Sequence, residues 1–535
     1  MAAFRNPAAL PSMFKSSFAR WLAMACIALL SGCASLPAVQ PAPSRAIAPS
    51  MQTTLGRVAL SSTPAPDFTG FRLLPAGSFA LDARLTLAER AQQSLDVQYY
   101  VLGNDDTGRR LLRSLRDAAA RGVRVRLLID DLYTAGEDEL LLGLQAHPNV
   151  EVRLFNPFPA GRSRLATKVL ASLADFRRIN HRMHNKLFIA DGAVAIAGGR
   201  NIADEYFGRS AVQNFIDLDA LMVGGAVWQL QSSFDEYWNS SYAYPLHAIA
   251  RSDKPKERLR REFDGAVDAT PPPPRPPAFD VLGYPPIGRD IDAGWLQLVW
   301  SKAVAFADPP DKIVGATAQY GGVPLVDVQS VRYEVLEQIE KADAEVAINS
   351  PYFVPGEKGL AMLSRLAEKR VRVSLLTNSL ASSDEPLVAM GYRRYRNDLL
   401  AVGVELYELS PAQVQRAGRF KAIRDSIGRL HAKTAVIDQK KVFFGSMNFD
   451  PRSESVNTEL GVFADSPQLA EEMLRLMTID RAEGALRVTQ GDDGTLRWAA
   501  PSEDGQWSFH SEPGADLWHL WWWNLLSPLA PEELL

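Results

Sequence analysis

A chain of 535 residues has room for two or more domain-sized cores. Its 47% hydrophobic and 22% charged content is ordinary for a globular protein. A formal charge of −4 argues against a nucleic-acid partner, which usually demands a basic stripe.

The first 33 residues read as a targeting segment. Arg5, Lys15 and Arg20 form a basic start, or Lys15 and Arg20 alone if Met13 initiates, and Trp21 to Leu30 is an apolar run too short to span as a mature helix. The run ends in Leu30-Ser31-Gly32-Cys33, which resembles the lipobox of bacterial lipoproteins; an uncleaved anchor or an ordinary signal peptide is the alternative. The resemblance implies that residues 1–32 are removed and that Cys33 carries the lipid. Cys26 then leaves with the signal, so the mature chain has no disulfide despite an oxidising compartment. Without Arg5, Lys15 and Arg20, 55 basic residues face 62 acidic ones, a charge of −7. The uncharged Ala34 implies an outer-membrane lipoprotein facing the periplasm of a Gram-negative cell envelope. That compartment lacks ATP, so the chemistry should be hydrolysis or an energy-neutral exchange of esters.

Residues 33–67 are rich in Ala, Pro and Ser and read as a flexible tether. A first unit spans 68–250. Its strand Leu95 to Val101 precedes a helix near Gly108 to Ala120, the strands Val123 to Asp130 and Val150 to Phe155 follow, and a helix with Phe234 and Trp238 one turn apart closes it. Residues 251–290, charged and then proline-rich through Pro271 to Pro277, read as an extended linker. The unit then repeats over 291–480: Glu345 to Asn349 answers the Leu95 strand, Val371 to Leu376 answers Val123 to Leu128, and Val404 to Tyr407 answers Val150 to Arg153. Residues 481–535 form a C-terminal extension whose Leu517 to Leu526 run holds four tryptophans. This run is too short to span a bilayer, and it either rests at a membrane interface or buries its rings against the domains.

The duplication carries the chemistry. His184, Lys186 and Asp191 stand as His-x-Lys-x-x-x-x-Asp, and after six intervening residues comes Gly198-Gly199-Arg200-Asn201. His431, Lys433 and Asp438 repeat the spacing, followed by Gly445-Ser446-Met447-Asn448, in a chain with only seven histidines. In each copy His and Lys sit two apart at the start of an apolar, β-branched run, so both side chains leave one face of a strand. His181 has Met183 where the lysine should be and reads as a bystander. His147, His247, His510 and His519 lack partner spacing and read as ordinary surface or core residues.

Such a set suits a phosphodiester. Its transition state gathers charge on the non-bridging oxygens, and a Lys and an Asn from each half offer four donors to them, so no metal or cofactor is required. Asn201 and Asn448 could otherwise be turn residues after glycine. One neutral imidazole attacks phosphorus while the other, protonated, delivers a proton to the leaving alkoxide. One motif holds half of the groups, so two halves must face each other. We therefore expect an α/β chain of two similar, tandem duplicated sandwich-like domains packed face to face, with one active site in the cleft between them.

The two complete motifs resemble those of the phospholipase D superfamily. Its bacterial cardiolipin-synthase branch, in particular the C-type synthases, is the nearest resemblance, carried by Leu95 to Tyr100, Arg121 to Leu128, Arg153 to Pro157, Arg182 to Lys186, Gly198 to Gly208 and Asn448 to Ser453. The resemblance implies that a carboxylate further along each half holds the active-site histidine by its other nitrogen. Glu459 matches in the second half, and Asp217 in the first, with Asp219 as the alternative. It also implies that Asp191 and Asp438 are supports, that His184 is the nucleophile and that His431 is the acid. The implied reaction is phosphatidyl transfer between phospholipids, with phosphatidylglycerol and phosphatidylethanolamine as candidates, at a membrane surface and by a monomer with both half-sites in one chain. Hydrolysis to phosphatidic acid is the first alternative and nuclease activity the second.

Overall fold

The computed structural model describes residues 36–39, 41–172, 175–314, 319–320, 323–324, 330–418, 420–421, 423, 425–500 and 508–514. Cys33 and the tryptophan-rich run 517–526 lie outside the described residues. No helix among the described residues is long and apolar enough to cross a membrane.

The first half supplies strands β1 (Phe68–Leu74), β2 (Ser94–Tyr99), β3 (Arg124–Asp130), β4 (Val150–Phe155), β5 (Leu187–Ala190), β6 (Val194–Gly198), β7 (Gln213–Ile216), β8 (Asp219–Gly224) and β9 (Ala243–Pro245). The second supplies β10 (Val299–Ala307), a two-residue pair β11 (Gln319–Tyr320) and β12 (Val323–Pro324), then β13 (Glu345–Asn349), β14 (Arg372–Asn378) and β15 (Glu405–Leu409). It continues with β16 (Ile427–Leu430), β17 (Thr434–Ile437), β18 (Lys441–Gly445), β19 (Leu460–Asp465), β20 (Ala485–Gln490), β21 (Leu496–Ala499) and β22 (Ser508–Phe509).

Within each half three strands run parallel, β2-β3-β4 and β13-β14-β15. Parallel neighbours need a crossover, and helices Asp106–Ala120 and Gly356–Glu368 provide the first in each half. The first of these starts where Asp105 accepts the Gly108 N–H at 2.9 Å, and it buries Leu111, Leu112 and Leu115 on one face. Antiparallel strands extend each group inward, as β5-β6-β8-β1 in the first half and β17-β18-β19-β10 in the second. The two sequences meet at an antiparallel β1-β10 pair, so one 18-stranded sheet runs through both halves.

The halves also share a core. Phe71 and Leu187 from the first and Val436, Phe444 and Val462 from the second belong to one buried cluster, in which Phe71 meets Phe444 edge to face at 6.1 Å. Fully burying each such side chain contributes on the order of 2 kcal/mol. Each half keeps a second core of its own under its crossover helices.

Two segments differ from their sequence reading. From Ala42 onward the tether is docked rather than free: Arg153 and Arg126 donate to the carbonyls of Ala42 and Ser44 at 3.0 Å, and Asp235 accepts from the Ala46 N–H at 2.8 Å. Both guanidiniums are buried and need acceptors, which an otherwise plain stretch of backbone supplies. A helix, Thr54–Ser62, follows it. In the linker, Lys256–Asp268 is helical, with Leu259, Phe263 and Val267 buried at four-residue intervals and Arg116 paired to Asp264 and Asp268. Its charge hid an apolar stripe of helical period.

Candidate active site

Both motifs end up at the junction of the halves, in the same local setting. His184 and Lys186 lie just before β5, and His431 and Lys433 just before β17, rather than inside those strands. Each lysine Nζ donates to the carbonyl of the histidine two residues back, Lys186 at 2.7 Å and Lys433 at 2.6 Å. All four side chains are buried, the histidines 7% and 6% exposed.

The carboxylates cross over. His184 Nδ1 donates to Glu459 of the second half, 2.9 Å from Oε2 and 3.1 Å from Oε1. His431 Nδ1 donates to Asp217 of the first half, 2.6 Å from Oδ2. The backbone does the same: His184 N–H donates to the Thr458 carbonyl at 2.9 Å, and His431 N–H to the Ile216 carbonyl at 2.8 Å. Each donation reaches the residue immediately before the carboxylate. The parallel pair β7-β16 and a bridge between Met183 and Thr458 set this register.

Asp219, the alternative to Asp217, faces elsewhere. It pairs with Arg84 at 2.9 Å and with Arg200 at 3.4 Å, fully buried beneath the site. Asp191 and Asp438 stand at the far ends of β5 and β17, away from the histidines. Asp191 accepts the N–H groups of Gln92, Gln93 and Ser94, and Asp438 those of Asp343, Ala344 and Glu345. Both carry a φ of 51°, so each motif aspartate turns the chain and fastens the loop that enters the neighbouring strand. Each carboxylate is thus engaged by backbone at the strand end opposite its histidine.

The asparagines reach the histidines through intermediaries, Asn201 by Tyr206, which packs on His431, and Asn448 by Ser453 and Glu459, which holds His184. Asn201 is committed on both sides, accepting the Val101 N–H at 3.1 Å and donating to the Tyr206 hydroxyl at 3.0 Å. Asn448 keeps a buried Oδ1 without a partner among the described residues, while its backbone N–H donates to Ser453 Oγ at 3.1 Å. Rings wall the site: Tyr100 stands edge-on to His184, and Tyr206 edge-on to His431, each at 5.1 Å, with Phe215 at 4.9 Å from His431.

Electrostatics follow from this burial. Desolvation, aided by Lys186 and Lys433, pulls His184 down to about 4, against the pull of Glu459. Burial and Lys433 lower His431 as well. Burial lowers Lys433 to about 8 and holds Lys186 well below the usual ammonium range. Burial opposes ionisation of Asp217, yet His431 and Lys433 win and hold it at about 2; Glu459 is held low by His184 and Lys186 in the same way. Each lysine acts on the histidine of the other half too, so the two histidines and two lysines share one field. Acceptor-only carboxylates fix each ring as the Nδ1–H tautomer and leave the Nε2 lone pair available.

Sequence reasoning passed over three contributors. Ser446 Oγ donates to Glu459 Oε2 at 2.5 Å and Ser453 Oγ to Oε1 at 2.9 Å, while Tyr206 walls His431. One signal was available: Tyr206 and Ser453 each stand five residues after the motif asparagine. Of the bystander histidines, His147 is a buried core residue against Asp264 and Phe263, and His247 is exposed.

Comparisons with known proteins agree with this architecture. A family described as "Cardiolipin synthase, PLD-like domain" matches residues 85–238 and 335–480, one segment in each half. Cardiolipin synthase C of Escherichia coli (strain K12) is 37% identical over 464 residues, covering 85% of this chain and 94% of that one. An uncharacterized protein of Helicobacter pylori (strain ATCC 700392 / 26695) is 34% identical, covering 78% of this chain and 80% of its own length. The crystal structure of phosphatidylserine synthase from Haemophilus influenzae Rd KW20 shares the fold, with a TM-score of 0.50 at 13% identity over 78% of this chain and 87% of that one. With a motif histidine inside each matched segment and Cardiolipin synthase C aligned over 94% of its length, the chain belongs to the phospholipase D-like family of cardiolipin synthases.

Proposed function

We propose that this chain is a phosphatidyltransferase of the cardiolipin-synthase type, acting on phospholipid phosphodiesters through a phosphohistidine intermediate. The observation that carries the reading is the crossed pairing of His184 with Glu459 and His431 with Asp217, which brings two oriented imidazoles and two lysines to one buried site. Similarity to Cardiolipin synthase C supports the lipid class.

In this reading His184 Nε2 attacks phosphorus, an N–P bond forms, and the P–O bond to the departing alcohol breaks. His431 gives its Nε2 proton to that alkoxide. Its imidazolium is stabilised by Asp217, and the anionic phosphodiester, once seated, favours uptake of that proton. A second alcohol then returns its proton to His431 Nε2, and its oxygen displaces His184 from phosphorus. Lys186 and Lys433 neutralise the non-bridging oxygens, and the side-chain N–H groups of Asn201 and Asn448 are the further donors of this scheme. Phosphatidylglycerol and phosphatidylethanolamine are the candidate lipids, and the same single chain supplies both half-sites.

We also propose anchoring through a lipid on Cys33 in the periplasm-facing leaflet of the outer membrane. The docked segment from Ala42 would hold the catalytic body within roughly 30 Å of that lipid, the reach of nine extended residues. Thin-layer chromatography after incubation with labelled phosphatidylglycerol and phosphatidylethanolamine tests the activity. Cardiolipin is the expected product; phosphatidic acid alone would replace transfer by hydrolysis, and unchanged lipid with degraded DNA would replace both.

A further inference from the structure

The two half-sites are not equal, and the inequality lies in what surrounds the carboxylates. Glu459 receives three donors: the His184 ring, the Ser446 hydroxyl at 2.5 Å and the Ser453 hydroxyl at 2.9 Å. Asp217 receives the His431 ring and the Leu218 N–H at 2.7 Å, with no hydroxyl donor among the described residues. Where the second half has Ser446 the first has Gly199, and a Cβ there would stand 2.1 Å from Asp217 Oδ1. Where the second half has Ser453 the first has Tyr206, whose hydroxyl serves Asn201 and whose ring packs on His431.

Ser453 is also tied into a closed network. Its Oγ accepts the Asn448 N–H at 3.1 Å, and its own N–H is held by Asp450 Oδ1 at 2.8 Å. Its carbonyl accepts from Lys312 Nζ at 2.9 Å, Lys312 pairs with Asp308 at 2.6 Å, and Asp308 accepts the Glu459 N–H at 2.9 Å. Ser453, Glu459, Asp308 and Lys312 thus close a ring, all buried. One hydroxyl connects the motif asparagine to the carboxylate that orients His184.

We infer that Ser453, with Ser446, is a positioning residue that makes the two half-sites chemically distinct: the paired hydroxyls spread the charge of Glu459 and reserve His184 for attack, while the barer Asp217 reserves His431 for the proton. The inference rests on the proposed transfer reaction. A carboxylate whose charge is shared with two hydroxyls stabilises an imidazolium less than one without them, so the ring beside it stays an unprotonated nucleophile. Neither serine touches the substrate in this scheme; both act through Glu459.

The full chain, assayed on labelled phosphatidylglycerol, provides the test. Ser453→Ala should lower kcat by about 10- to 100-fold with KM changed less than about twofold. It should also move the acid limb of kcat/KM to higher pH by about half a unit to one unit, because Glu459 freed of a donor favours protonated His184. Ser453→Thr, which keeps the hydroxyl, should restore most of the rate and the original limb. Ser446→Gly removes the other donor and should move the limb in the same direction, so the inference stays testable if one variant folds poorly. An unmoved acid limb in both, or a threonine variant no better than alanine, overturns it. Mass spectrometry of the trapped wild-type adduct separates the two readings. An adduct on His431 overturns the assignment of roles to the two half-sites, whereas absence of any adduct and of turnover overturns the transfer reaction itself.

Discussion

Asp217 and His431, 214 positions apart, meet at 2.6 Å across the junction of the two halves. Glu459 and His184 make the reciprocal contact over 275 positions. Each half therefore carries a histidine but not the carboxylate that orients it. Separating the halves would leave two unpartnered rings and two unpaired buried carboxylates, which is costly in a low-dielectric setting. The shared core around Phe71 and Phe444 and the continuous sheet through β1 and β10 hold the halves in the register this exchange requires.

Removing either imbedded ring should abolish turnover without unfolding the chain. His184→Ala and His431→Ala are expected to lose at least about 1000-fold in kcat while retaining the wild-type circular-dichroism spectrum. Substantial turnover in either variant, measured as labelled cardiolipin formed, would refute the shared-site mechanism.

The neighbouring aspartates should separate catalysis from stability. Asp217→Asn keeps shape but removes the charge that supports imidazolium at His431, so kcat should fall about 100-fold or more with little change in melting temperature. Asp219→Asn leaves Arg84 and Arg200 short of a buried counter-charge and should cost roughly 3–5 kcal/mol in denaturant unfolding. The reverse pattern would show that the carboxylate roles are exchanged.

Gly199 is required by proximity. An alanine Cβ would stand 2.1 Å from Asp217 Oδ1, so Gly199→Ala must displace the carboxylate from His431. The expected loss is about 100-fold in rate, read with the same lipid assay. A variant with normal rate would mean that Asp217 can relax without losing its ring.

The motif aspartates should behave as fasteners. Asp191→Ala removes the acceptor of three backbone N–H groups in a fully buried turn, at about 2–4 kcal/mol, and Asp438→Ala removes a similar but more exposed set at lower cost. Chemical denaturation ranks them, and specific activity of the folded fraction should stay within about threefold of wild type. A large fall in that activity would assign these residues a direct role.

Stability should depend on pH through His184. Its folded value of about 4 lies below the ordinary 6.5, so between those values the unfolded chain binds more proton than the folded one. Stability should therefore rise as pH increases from about 4 to 6.5, by roughly 3 kcal/mol at most from this group. Asp217, held at about 2 rather than 3.8, loses its contribution only as pH falls from 3.8 towards 2, below that window. Urea melts of wild type and His184→Ala at pH 4.5 and 6.5 measure the difference; an identical slope in both would remove the buried neutral histidine from the account.

Much of this was legible in the chain. The repeated spacing of His184, Lys186 and Asp191 in His431, Lys433 and Asp438 announced two halves and one shared chemistry, because catalytic geometry forces residue type and spacing together. The strand-helix alternation around Val123 and Val371 likewise announced the duplicated unit. Local periodicity misled where long-range contacts won: the Ala/Pro/Ser tether is captured by Arg126 and Arg153, and a charged linker hides the Leu259-Phe263-Val267 stripe.

Sequence by itself determined which side chains could do the chemistry, since residue identity and the repeated spacing fix the functional groups, although His184, Lys186, His431 and Lys433 precede their strands rather than share a strand face. Tertiary structure alone decided who serves whom: that Asp217 rather than Asp219 meets a histidine, that it meets the one in the other half, and that Ser446 and Ser453 attend Glu459. Those partnerships depend on strand register across a junction between segments more than 200 residues apart for each crossed pair, and no local pattern encodes a contact that only folding creates.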